Sequence, residues 1–101
     1  MNIIEELKKI KKEFENKDRR NAMEAFMQKM YYEIAPCVSF GDTVELFRDE
    51  KAVENFCNDK RIDIRAFRWL LGELRNEGLL QPYSVPIALT ELGVGKLCIE
   101  K

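Results

Sequence analysis

Arg65, Arg68, Gly72 and Arg75 carry the clearest chemistry in this sequence. On a helix, at about 100° per residue, they fall within an arc of roughly 80°, set apart from an apolar face of Phe67, Leu71 and Leu74. Arg61 joins the stripe if the helix starts that early. Guanidinium groups along one exposed face can donate to guanine edges in a major groove or to phosphates, and a glycine among them allows close backbone approach. The same stripe also suits a solvated face, with Glu73 and Glu77 as ion-pair partners. Trp69 lies about 80° from the centre of the stripe, away from the main core face. It fits a semi-buried role between helix and ribbon, with stacking on a base as the alternative.

Other chemistries find little support. The chain has no histidine, which removes the commonest general base and the usual partner of a nucleophilic Ser or Cys. Its three cysteines, Cys37, Cys57 and Cys98, are far apart and form no C-x-x-C pair, so the usual zinc ligand sets are missing. They read as small buried hydrophobes. There is no Gly-rich phosphate loop, Ser39 and Ser84 have no visible base, and the carboxylates are spread at helical surface spacing. We therefore expect no enzyme, no cofactor and no metal. The net charge of −1 gives no whole-molecule field to recruit nucleic acid. Any such surface is local: residues 1–20 and 60–77 each sum to +2, whereas 41–59 sum to −4. No apolar run approaches a membrane span, and Met-Asn-Ile-Ile-Glu-Glu does not open like a secretory signal, so a cytoplasmic location without a membrane partner is expected.

The elements that must position the stripe follow from periodicity. A chain of 101 residues, 46% apolar and 35% charged, suits one domain over 1–101 with a single modest core. Residues 2–16 read as an amphipathic helix with Ile3, Leu7, Ile10 and Phe14 on one face, within an N-terminal element 1–17. That face packs on its own domain or on the same face of a second subunit, as a dimerisation element. Asn16-Lys17-Asp18 reads as a break, with Asp18 or Asn21 as the next N-cap. Ala22, Met23, Phe26, Met27, Met30, Tyr31 and Ile34 then form a wide core face ended by Pro36. Val38-Ser39-Phe40 reads as a short strand before a Gly41-Asp42 turn. A helix starting after Asp42, or later after Asp49, turns Leu46, Phe47, Val53, Phe56 and Cys57 inward. Asn58-Asp59-Lys60-Arg61 is turn-like. Asp63 caps a helix from Ile64 to about Glu77, Gly78 takes the C′ position, and Leu79 folds back on Leu74. Leu79-Leu80-Gln81 and Ile87-Ala88-Leu89 read as two strands joined by Pro82-Tyr83-Ser84-Val85-Pro86. Thr90 caps a last helix carrying Leu92, Leu97, Cys98 and Ile99. The fold class is mainly α with a short β-ribbon.

From residue 44 onward the order is helix, polar turn, helix, Gly-Leu-Leu, ribbon, Leu-Thr-Glu-x-Gly, helix. This resembles the winged helix-turn-helix of bacterial and archaeal transcription regulators such as the MarR and PadR families. The resemblance rests on Leu70-Leu71-x-x-Leu74-x-x-x-Gly78-Leu79-Leu80 and on Ala88-Leu89-Thr90-Glu91-Leu92-Gly93, and it covers 44–101. It implies a winged helix with extra N-terminal helices, acting as a small DNA-binding regulator. In that role helix 64–77 reads the major groove of double-stranded DNA through Arg61, Arg65, Arg68, Gly72 and Arg75. It also implies a homodimer through the terminal helices 2–16 and 91–101, which lets two recognition helices reach successive grooves. The sequence departs from the pattern in two ways. Residues 79–90 hold no basic side chain for a wing, and the segment before the recognition helix is acidic, with Asp42, Glu45, Asp49, Glu50, Glu54 and Asp59. Both favour the alternative, a winged helix that meets a protein partner, as an adaptor or a virus-encoded inhibitor would.

Overall fold

A computed structural model describes residues 16–39, 44–82 and 85–99, with the backbone alone at 98–99. The expected helix 2–16, the Gly41-Asp42 turn and the tip at Tyr83-Ser84 lie outside the described residues. The elements run α1 (Lys17–Gln28), β1 (Glu45–Phe47), α2 (Glu50–Lys60), α3 (Ile64–Asn76), β2 (Ile87–Ala88) and α4 (Glu91–Ile99). The architecture is mainly helical with a small antiparallel sheet. No described helix is long and apolar enough to cross a membrane.

The cap of α1 is Asn16, ahead of both Asp18 and Asn21. Its side-chain oxygen accepts from the backbone N–H of Asp18 at 2.8 Å and of Arg19 at 3.3 Å. Asp18 thereby falls in the first turn, where a carboxylate meets the positive end of the helix dipole. Pro36 does not end this helix cleanly. The backbone passes into a π-helical stretch, Lys29–Ile34, and then a 3-10 turn, Ala35–Cys37. Proline lacks an N–H and crowds the carbonyl four residues back, so widening and then tightening the turns lets the chain pass Pro36. The π-stretch keeps Met30 in the core and carries the Lys29 ammonium to 5.0 Å from the Phe47 ring centre and 5.4 Å from that of Phe56. Glu33 takes the same ammonium at 3.2 Å.

Val38-Ser39 is not in a strand, and Phe40 lies outside the described residues; a strand forms at Glu45–Phe47, which the apolar pattern assigns to a helix face. Of the two possible starts for α2, the later one holds: Asp49 caps it by accepting from the Ala52 N–H at 2.9 Å. β1 pairs antiparallel with β2, Glu45 opposite Ala88 and Phe47 opposite Ile87, with a bulge between them. On the other side the segment 87–90 meets 79–81: Leu80 bridges Leu89, the Gln81 N–H donates to the Ala88 carbonyl at 2.8 Å, and the Thr90 N–H donates to Leu79 at 3.0 Å. The expected 79–81/87–89 pairing is therefore present but thin, and β1 is a partner the periodicity did not show.

The core joins these parts. Phe26, Phe47, Phe67, Met23, Met30, Leu70, Leu74, Leu79 and Leu97 are buried, so the Met-rich face of α1 is core as expected. Cys57 is buried too, whereas Cys37 is exposed, against the expectation of a buried cysteine. Burial raises the Cys57 thiol above its ordinary value; the Arg68 charge opposes this and the Asp63 charge adds to it. At neutral pH a thiol-alkylating reagent should therefore modify Cys37 in the folded protein and Cys57 only on unfolding, as read by peptide mapping. Equal labelling of both in the native state would contradict this packing.

Candidate nucleic-acid interface

The helix α3 is set by its two ends. At its start the Asp63 carboxylate accepts from the N–H groups of Arg65 at 2.9 Å and Ala66 at 3.1 Å. At its end Gly78 adopts φ +78°, its N–H donates to Arg75, and the Leu79 N–H donates to Leu74 at 3.0 Å. This is the paired closure that a left-handed C′ glycine permits. Between these ends Ala66, Phe67, Leu70, Leu71 and Leu74 are buried, chiefly against α1 and α2, so the opposite face turns outward.

That outward face receives the expected residues unequally. Arg65 projects fully, its side chain 90% exposed, with Nε 3.9 Å from the Asp63 carboxylate. Arg68 is half exposed and donates to Glu50 at 3.0 Å. Its partner is thus a residue in the first turn of α2 and neither Glu73 nor Glu77. A half-exposed pair of this kind contributes only about 0.2–1 kcal/mol, so a competing anion can displace it. A Cβ built at Gly72 would meet none of the described residues within 4 Å, which leaves the middle of the face open among them. Arg75 is half-buried at the edge of the face, and its Nε is buried with no hydrogen-bond partner among the described residues. Arg61 does not join the stripe. The helix starts at Ile64, and Arg61 is the left-handed C-cap of α2 at φ 56°, exposed in the turn before α3. The dimerisation residues Ile3, Leu7, Ile10 and Phe14 lie outside the described residues.

Arg19 was not singled out from the sequence, yet its guanidinium lies 4.4 Å from the centre of the Trp69 ring. Trp69 is partly buried against the core, in keeping with the semi-buried expectation. Together with Asn16, Asp63 and Arg65 they line a polar cleft of about 300 Å³ where the starts of α1 and α3 meet. The only sequence signal for Arg19 was the +2 balance of residues 1–20.

No known protein family, curated protein or solved structure matches the chain. The outward face of α3 offers one exposed guanidinium loosely paired with Asp63, a second held by a displaceable carboxylate, and a glycine between Arg68 and Arg75. Such a surface can donate to anionic oxygens or to base edges.

Proposed function

We propose that the chain is a small winged-helix DNA-binding domain, acting as a transcription regulator that meets duplex DNA with α3. The observation that carries this reading is Gly72. A glycine inside a helix costs roughly 0.5–1 kcal/mol relative to alanine. Nothing among the described residues requires it, because a Cβ there would touch none of them. Its position on the arginine face is accounted for by a close-approaching surface from outside the chain. The element order supports the same fold: helix, strand, helix, helix, two paired extended segments, helix. In this reading Arg65 and Arg68 donate to base edges or phosphates, and Arg19 adds a phosphate contact at the start of the helix.

The test is fluorescence anisotropy of a random-sequence duplex at low and at physiological salt. Binding should appear at low salt and fall steeply as salt is added, because neutralised phosphates release counterions. Arg65→Ala should weaken it by about 1–3 kcal/mol if the guanidinium makes a bidentate base contact. Gly72→Ala should stabilise the fold by roughly 0.5–1 kcal/mol while lowering DNA affinity. Absence of binding at low salt would overturn the reading. The face would then belong to a protein partner, a role favoured by the Glu50 carboxylate on Arg68 and by the lack of basic residues over 79–90.

A further inference from the structure

The exposed face of α3 has two unlike flanks. At about 100° per residue, Trp69 and Ala66 fall to one side of Arg65 and Gly72, with Arg68 and Arg75 on the other. The start of α1 borders the first flank, and the start of α2 borders the second through Glu50. Their charges differ in sign. α1 opens with Lys17, Arg19 and Arg20 against one carboxylate, Asp18, whereas α2 opens on Asp49, Glu50 and Glu54 against one cation, Lys51. On the α1 side the Arg19 guanidinium lies over the Trp69 ring, 4.4 Å from its centre. Stacking takes up a face of the guanidinium and leaves its N–H edge to donate in a fixed direction. Arg19 is only half-buried and lines the cleft of about 300 Å³, so an anion in that cleft reaches it. Asp63 stands in the same cleft, but its Oδ1 is occupied by the Arg65 and Ala66 N–H groups of its own helix. A helix with its side chains is about 10–12 Å across and a major groove about 12 Å wide. A helix lying in the groove therefore meets a wall of phosphates along its flanks, and the α2 flank repels that wall where the α1 flank receives it.

Resting on the DNA-binding reading above, we infer that the duplex lies against α1 and away from α2, with a backbone phosphate seated in this cleft on Arg19. Trp69 is the positioning residue that holds Arg19 for it. The test is the affinity of the full chain for two duplexes of unrelated sequence, by fluorescence anisotropy from low to physiological salt. Thermal melts first establish that each variant is folded. Arg19→Ala should lower affinity several-fold on both duplexes alike, because a phosphate contact carries no sequence information. It should also reduce the slope of log affinity against log salt by about 1. Lys51→Ala removes the same charge from the α2 flank and should leave the slope as it was. Trp69→Leu should cost as much affinity as Arg19→Ala, and the two together no more than either alone, since they act through one contact. Trp69→Phe keeps a ring beneath the guanidinium and should recover most of the loss. Wild-type binding with an unaltered slope in Arg19→Ala would overturn this placement and leave the DNA reading standing. An equal loss of slope in Lys51→Ala, or additive losses at Arg19 and Trp69, would overturn it in the same way. Absence of wild-type binding at low salt would overturn both together.

Discussion

Phe67→Ala should destabilise the protein by about 3–5 kcal/mol, a large share of the roughly 5–15 kcal/mol that holds a domain folded. Phe67 is fully buried on α3, and three other rings converge on it. Phe26 of α1 lies 6.5 Å away, Phe47 of β1 sits edge-on at 5.7 Å and 89°, and Phe56 of α2 is at 5.3 Å. Removing the ring opens a cavity where α1, β1, α2 and α3 meet, and it also deletes aromatic pairs worth about 0.5–1.5 kcal/mol each. The rings around the cavity belong to separate elements and cannot all close inward at once. Urea unfolding followed by Trp69 fluorescence should show the midpoint falling by more than about 1 M, given slopes of about 1–3 kcal/mol/M for small proteins. A loss below about 1 kcal/mol would mean that the cluster is not the joint of the fold.

This cluster also shows why some parts of the fold were legible and others were not. Phe67 could be placed because Leu70, Leu71 and Leu74 share its face at helical spacing, between a capping Asp63 and a terminating Gly78. Each of those signals is local, and each holds. Phe47 was not legible in the same way. Leu46-Phe47 is too short to show a period, and only its partner at 87–88, some forty residues on, decides strand over helix. The π-stretch before Pro36 escaped for a related reason, since proline marks an obstacle without saying how the chain passes it. In the candidate interface, the arginine face was readable from angle alone. The partner that holds Arg68 was not, because Glu50 lies 18 residues earlier on another helix. Arg61 went astray on a boundary of three residues: Asp63 starts α3 and leaves Arg61 in the turn.

Gly93→Ala should be as damaging as the loss of Phe67, and for the opposite reason. A Cβ on Gly93 would run into the Leu79 carbonyl oxygen and would lie 3.1 Å from the Leu89 side chain. The Leu79 carbonyl cannot move aside freely, because it accepts the Thr90 N–H at 3.0 Å. Thr90 is fixed in turn: its hydroxyl donates to the Gly78 carbonyl and accepts from the Gly93 N–H at 3.0 Å, capping α4. The stretch Leu89-Thr90-Glu91-Leu92-Gly93 thus has a packing role, seating the first turn of α4 directly on the backbone that leaves α3. Overpacking against a fixed backbone should cost about 3 kcal/mol or more. At about 4–8 °C per kcal/mol for a chain near this size, the melting temperature should fall by at least about 12 °C. Gly72→Ala supplies the internal control. It is the same chemical change inside a helix, made where the added methyl meets open space, and it should raise stability. Opposite signs at the two glycines would trace the difference to the space around each Cβ, whereas a mild effect at Gly93 would mean that α4 does not sit on Leu79 in solution.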